Sequence, residues 1–260
     1  MGKRLNTLIA LVIFMITVNA NAQNRPGPNS QKSKINNEFQ QKDNEYSNFR
    51  LSLSGGWSTL IAPVSSSVPA YLVNFVEGLR QGINFSVEFN YFLSKQTGLG
   101  LKYNNFSSSN SAIINFPNGN AIIPVKLSVD QNFGFLGPVL CSRTQSANKK
   151  NSLLLGVGFG LMTYYSHLTL NDAKSIIQTG NTFGLSYDVG FEFLLAKNIS
   201  LGFQLTYLKG MLTQYNENDG VSIKTITLTS ANYESLSHFD LSVGLRFTPA
   251  PRPVKKITMN

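Results

Sequence analysis

Two short stretches place a hydroxyl, an imidazole and a carboxylate within a few residues of one another. Ser166-His167 is the first, and Ser237-His238, shortly after Glu234, is the second. A serine activated by a histidine that a carboxylate orients is the set used for acyl hydrolysis and acyl transfer. The spacing argues against it here. Adjacent residues of a strand point to opposite faces, so neither Ser166 and His167 nor Ser237 and His238 make a dyad in extended backbone. No GxSxG elbow, phosphate-binding loop, HExxH pair or calcium-loop pattern occurs. Gly156, Gly158 and Gly160 alternate with apolar residues, which reads as strand packing rather than as a phosphate cradle. The single cysteine, Cys141, rules out an intramolecular disulfide and argues against a cysteine-built zinc site. The sequence therefore assigns no catalytic residue, no cofactor and no metal.

Two sets of charges carry more information. Arg50, Glu88, Lys102, Asp188, Glu192, Asp240 and Arg246 each stand on the polar side of an alternating stretch, with Asp130 as a further candidate. If those sides share one interior, the charges must pair, because a buried charge persists only with a partner. A paired structural network is the expected filling. A proton or ion path, or a carboxylate cation site, is the functional version of the same cluster. The second set is Lys95, Arg143, Lys149, Lys150, Lys197, Arg252, Lys255 and Lys256, which fall in short connections and near the C-terminus with no acidic residue among them. Such a basic rim suits anionic headgroups or an acidic protein, and a solvated rim is the plain alternative. Nucleic acid is not an expected partner.

The elements that must position these groups are strands. From Phe49 onward the side-chain period is two. Strand one is FRLSLSGGWST, with Phe49, Leu51, Leu53 and Trp57 opposite Arg50, Ser52, Ser54 and Ser58. GINFSVEFNYFLS and LGLKYNNF follow as strands two and three; strand four runs from about Leu127 to Arg143, where Pro138 implies a bulge or an early end. SLLLGVGFGLMTY, TFGLSYDVGFEFLL, ISLGFQLTYL and the closing HFDLSVGLRF supply strands five to eight. Connections two–three, four–five and six–seven are tight. Connections one–two, three–four, five–six and seven–eight are expected to be long loops rich in Ser, Asn and Thr.

An even number of roughly ten-residue strands with alternating short and long connections is the layout of a membrane barrel. Charged residues make up 13% of the chain, against about 25% in soluble domains. The polar faces are mostly Gly, Ser and Asn, which suit a narrow lumen better than a water-facing surface, as a soluble barrel or sandwich would require. At the N-terminus, Lys3 and Arg4 precede an apolar run from Leu8 to Val18 and then Ala20-Asn21-Ala22, the pattern of a cleaved signal peptide. A buried N-terminal helix is the alternative. Loss of residues 1–22 lowers the formal charge from +9 to +7, since Lys3 and Arg4 are their only charges.

The run GLRQGINFSVEFNYFLSKQTGLGLKYNNFSS, the FGFLGP of strand four and the closing LSHFDLSVGLRF resemble small outer-membrane β-barrel proteins of Bacteroidota, grouped as PorT-like or general outer-membrane β-barrel domains. The resemblance implies an eight-stranded barrel and no particular activity. The expectation is thus an all-β, eight-stranded antiparallel up-and-down transmembrane barrel over 49–248 with both termini periplasmic. A signal peptide (1–22) and a flexible periplasmic segment (23–48) precede it, and a Pro/Lys-rich tail (249–260) follows. In function it is expected to be a non-enzymatic structural or accessory subunit of an envelope complex. An adhesin or receptor-like barrel acting through its external loops, and a lipid-modifying enzyme, are the alternatives. Expected partners are outer-membrane lipid, lipopolysaccharide and other envelope proteins.

Overall fold

The computed structural model describes residues 47–64, 68–118, 121–229 and 233–249. The expected signal peptide, nearly all of the 23–48 segment, and most of the 249–260 tail with Arg252, Lys255 and Lys256 lie outside the described residues.

In chain order the elements are β1 (Phe49–Leu60), α1 (Ala70–Leu79), β2 (Gln81–Phe92), β3 (Thr97–Asn118), β4 (Ala121–Gln145), β5 (Asn151–Leu170), β6 (Lys174–Ala196), β7 (Ile199–Leu212), β8 (Gln214–Asn218), β9 (Ile223–Thr227), β10 (Glu234–Ser235) and β11 (His238–Phe247). Strands β1 to β7 each pair antiparallel with the next, and β11 pairs with both β7 and β1. The seam between β1 and β11 runs from Leu51↔Phe247 to Leu60↔His238, so the ring of eight strands is closed. Closure leaves the ring without a free edge strand, which is what lets a sheet stand in lipid. The first residue of β1 and the last of β11 lie at the same end as the three tight turns.

The eight expected strands all exist, strand eight being β11. Four are longer than the alternation suggests. β3 and β4 stay paired from Thr97↔Ser142 to Asn118↔Ala121, and β5 and β6 from Asn151↔Phe193 to Leu170↔Lys174. The expected long loops three–four and five–six are therefore hairpin extensions. The three-residue connection Asn171–Ala173 turns the second of them: Asn171 and Asp172 have φ of 50° and 57°, and the Ala173 N–H closes the turn on the Leu170 carbonyl at 3.0 Å. Pro138 neither ends nor bulges β4: the β4–β5 ladder skips Gly137 and Pro138 and resumes in the same register, Leu136↔Leu161 before and Val139↔Gly158 after. Its ring points outward, so the missing N–H costs ladder bonds but displaces nothing in the lumen. Connection one–two contains α1, a helix the period-two reading did not reveal.

The kind of side chain that faces outward changes along these strands, while the facing itself keeps its alternation. On β3 the outward residues are Leu99, Leu101 and Tyr103, then Asn105, Ser107, Ser109 and Ser111. The inward ones are Gly100, Lys102 and Asn104, then Phe106 and, further on, Ala112, Ile114 and Phe116. On β5 the outward Leu153 to Leu161 give way to Thr163, while inward Gly156 to Gly160 give way to Met162 and Tyr164. In the lower zone apolar side chains cover the outside: Phe159 is 63% and Phe183 82% exposed, whereas Lys102 and Asp240 are 0% exposed in the lumen. That is the inverse of a soluble barrel and the arrangement lipid requires. Aromatic groups mark two heights of the outer wall: Phe191, Phe193 and Phe203 toward the turn end, and Tyr187, Tyr207 and Phe239 toward the other.

Candidate functional site

The lower lumen is filled by charge. Arg50 reaches inward from β1 and donates from Nε and Nη2 to Glu192 Oε1 at 2.8 and 2.6 Å, and from Nη1 to Glu88 Oε1 at 3.2 Å. Asn90 donates to the same Glu88 oxygen at 2.6 Å. Arg246 lies 3.6 Å from Glu192 and donates to the Gly202 carbonyl and to Gln204 Oε1, both at 3.1 Å. Gly202 is required there, because a Cβ would overlap the Arg246 guanidinium. Gln204 links this layer to the next, donating to Asp188 Oδ1 at 3.0 Å. Asp188 also accepts from Lys102, from Thr206 at 2.6 Å and from Ser186 at 2.9 Å. Each of these groups is buried, and each has an opposite charge or a donor in reach.

A third layer centres on Asp240, which accepts from Ser58 at 2.5 Å and from Asn104 at 2.8 Å. Asn84 donates to Ser58 at 3.0 Å and accepts from Ser242 at 2.7 Å. His238 stands above it, with Nε2 3.6 Å from Asp240 Oδ1 and Nδ1 donating to the Leu236 carbonyl at 2.8 Å. All seven charges named from the sequence thus face the lumen. Asp130 does not; it is exposed on the outer face of β4. Arg143, assigned to the basic rim, is also corrected. It is buried, with its guanidinium 3.8 Å from the Phe92 ring centroid, and it donates to the Ser47 carbonyl at 3.2 Å. Arg143 continues the inward set of β4 after Val139 and Cys141, so strand alternation carries it into the lumen although the turn is close.

Above the third layer the lumen is closed by apolar side chains. Phe106, Phe133, Phe135, Met162, Tyr164, Leu208, Leu212 and Leu236 pack into one cluster, and the His238 ring lies 5.3 Å from that of Phe106. Below, Phe92, Cys141 and Leu154 form a smaller one. The cavity between Arg50, Glu88, Asp188 and Gln204 has a volume of about 10 Å³, room for about one water.

The hairpin extensions carry a second body of structure beyond this plug. α1 lays Phe75 and Leu79 on the inner face of β3 and β4, against Ile114, Leu127 and Val129. Asn110 and Ser108 donate to the Phe75 and Leu79 carbonyls at 2.6 and 2.8 Å, tying down the helix end. β8 pairs with β6 and β9 with β8, widening the sheet. Two apolar side chains of the β3–β4 hairpin are uncovered among the described residues: Ile113 is 71% and Ile122 70% exposed. At the opposite end, Lys95, Lys149, Lys150 and Lys197 share the short turns.

The serine–histidine candidates do not assemble as the sequence paired them. Ser237 exchanges hydrogen bonds with the Gly210 backbone at 3.3 Å, and His238 is sealed in the plug. Ser166 is buried while its neighbour His167 faces outward. His167 Nε2 instead lies 2.7 Å from Ser175 Oγ on the adjacent strand, a pair that only the β5–β6 register reveals, with Asp130 opposite in the β4 ladder. Among the described residues no carboxylate comes within ion-pair distance of His167, and the surrounding strand amides are engaged in ladders. Among the described residues the pair is thus a serine–histidine contact without an ion-paired carboxylate. No group of three or more metal-ligating side chains occurs among the described residues.

No family model matches the chain, and no curated protein matches it, so membership of the Bacteroidota PorT-like group is not supported. Solved structures do resemble it. Neisserial surface protein A is 13% identical over 78% of this chain and 98% of its own, with a TM-score of 0.43. The outer membrane protein OprG of Pseudomonas aeruginosa is 13% identical over 79% and 98%, with a TM-score of 0.44. The outer membrane protease OmpT of Escherichia coli is 10% identical over 78% and 97%, with a TM-score of 0.46. At these values the likenesses add no argument of their own, and the fold stands on the chain's closed ring of strands.

Proposed function

We propose that this protein is an outer-membrane barrel that conducts no solute and catalyses no reaction, and that it acts by recognition through the platform on its loop-side mouth. One observation carries the reading. The lumen is filled by three polar layers under an apolar plug, and directly above the plug the strands continue into a helix-covered sheet whose β3–β4 hairpin exposes Ile113 and Ile122. A barrel built for passage would leave a lumen; one built as a support spends its strands on what it holds up. Exposed apolar residues on a framed, rigid surface are the mark of a protein contact site. In this reading the platform faces the cell exterior and both chain ends face the periplasm. The partner is then another envelope protein or a surface the cell meets, which covers both the accessory and the receptor-like roles.

Two measurements test it. Purified barrel in planar bilayers is expected to give no discrete conductance steps; regular steps would overturn the sealed-lumen part. A photo-crosslinking side chain at Ile113 or Ile122 on intact cells is expected to trap one defined protein, while the same side chain at Leu241 traps lipid only. Indiscriminate labelling from these two positions would leave the recognition reading without its surface.

A further inference from the structure

The barrel wall has a break in its ladder. β6 and β7 pair from Ala196↔Ile199 up to Gly184↔Gly210 and then part. Beyond that point β8, which begins two residues after β7 ends, takes up the same edge of β6 at Ile177 to Thr179, one residue out of register, and leaves Gly180 to Phe183 without a strand partner on that side. What bridges the fork is one side-chain bond, from Thr182 Oγ1 to the Met211 carbonyl at 2.9 Å. A pocket of about 460 Å³ opens at the fork, lined by Phe159, Phe183, Leu185, Met211, the two glycines and Lys209. Its floor is the backbone of Gly184 and Gly210, and Met162 of the plug lies against the lumen side of both glycines, where a Cβ would overlap its sulfur.

The place and the chemistry select an occupant. The pocket sits on the outer wall at the upper edge of the apolar belt, where Leu185 is the last belt residue but one on β6. Bilayer lipid is therefore what meets it. Its walls are aromatic and aliphatic except for Lys209, which stands outward, paired in register with Leu185 and two residues beyond Tyr207. Among the described residues no carboxylate lies within ion-pair distance of Lys209. A lone ammonium on a lipid-facing wall is costly unless it reaches the headgroup level and meets an anion there. A lipid phosphate supplies that anion, and the pocket below supplies room for the acyl chain attached to it.

We infer that this fork is a binding site for an anionic phospholipid of the loop-side leaflet, one acyl chain entering the pocket and the headgroup phosphate, with no choline cation to neutralise it, meeting Lys209. The site is independent of whatever the platform contacts. The full chain would be placed in nanodiscs of phosphatidylcholine containing a minor fraction of phosphatidylglycerol, and retained lipid read by native mass spectrometry. Wild type is expected to keep one lipid, with phosphatidylglycerol favoured about fivefold, the worth of one lysine near a membrane surface. Lys209→Gln is expected to bring that preference close to unity while a lipid is still held. Leu185→Trp, which fills the pocket, is expected to remove the retained lipid. Heat-modifiable gel mobility verifies that both variants are folded. A diazirine at the acyl-chain end is expected to label Phe183 or Met211. Equal retention of the two lipids by wild type, unchanged retention in both folded variants, or labelling spread evenly around the belt would overturn the inference.

Discussion

Residues 97–104 and residues 105–117 belong to one strand, yet they are built for opposite surroundings. Below Tyr103, β3 turns Leu99 and Leu101 out and Lys102 and Asn104 in; above it, Asn105, Ser107 and Ser109 face out and Phe106 and Ile114 face in. β5 changes at the same level, between Leu161 and Thr163. The backbone ladder is continuous through both changes, so hydrogen bonding does not set the boundary. Solvent does. In the lower zone apolar atoms must meet lipid and the polar ones must find each other; in the upper zone ordinary burial returns. One sheet thus runs two opposed packing schemes, and the plug at Phe106, Phe133 and Met162 is where they meet.

The largest way to break the lower scheme is to orphan its charges. Arg50→Ala leaves Glu192 and Glu88 without their principal cation, and removing one partner of a buried pair costs about 3–5 kcal/mol. The expected outcome is a lower urea midpoint in detergent or lipid, and poor recovery of the heat-modifiable band. Next in size is a charge placed on each side of the boundary along one face of β3. Leu101→Arg sets a guanidinium against lipid and is expected to cost roughly 2–4 kcal/mol. Ser109→Arg, eight residues further along the same face, is expected to stay within about 0.5 kcal/mol of wild type. Equal costs from equilibrium unfolding in liposomes would erase the comparison.

Smaller effects separate the upper body from the barrel. Val129→Ala removes part of the seat of α1, and burial of a valine is worth about 1.5–3 kcal/mol. Amides of α1 are expected to exchange faster while those of β1 and β11 keep their protection. The smallest effect is at the turn after β8. Asp219 Oδ1 accepts from the backbone N–H groups of Ser222 and Val221 at 2.7 and 3.0 Å, which holds its carboxyl below the ordinary 3.8. A depressed carboxylate stabilises the fold above its unfolded value and loses that contribution as pH falls through the folded one. The turn is therefore unchanged from neutral pH down to about 4, and its two amides are expected to shift in NMR spectra only below that.

What was legible in the sequence follows the same division. The lower zone was legible almost residue by residue, because lipid outside and a narrow lumen inside leave period two as the only workable pattern. The partners within the lumen were not: that Arg50 meets Glu192 across the lumen as well as Glu88 on its neighbouring strand depends on how the ring closes. Above the boundary the alternation keeps its period but reverses its phase, and the change of phase reads as a loss of pattern. That is why strand three was expected to end near Phe106 and why the extensions were expected to be loops. α1 was hidden for a related reason, since its apolar face is matched only to Ile114, Leu127 and Val129 of distant strands. The His167–Ser175 contact likewise needs the β5–β6 register, which no local motif encodes.

The central claim is the change of surroundings along β3, and depth-resolved spin labelling measures it most directly. In a Cys141→Ala background, single labels at positions 99, 101, 103, 105, 107, 109 and 111 report collision with oxygen, which favours lipid, or with a water-soluble nickel chelate. The account predicts oxygen-dominated collision at 99, 101 and 103 and a crossover to nickel between 103 and 107, with nickel dominant at 109 and 111. Oxygen dominance that continues to 111, or nickel access already at 101, would contradict it.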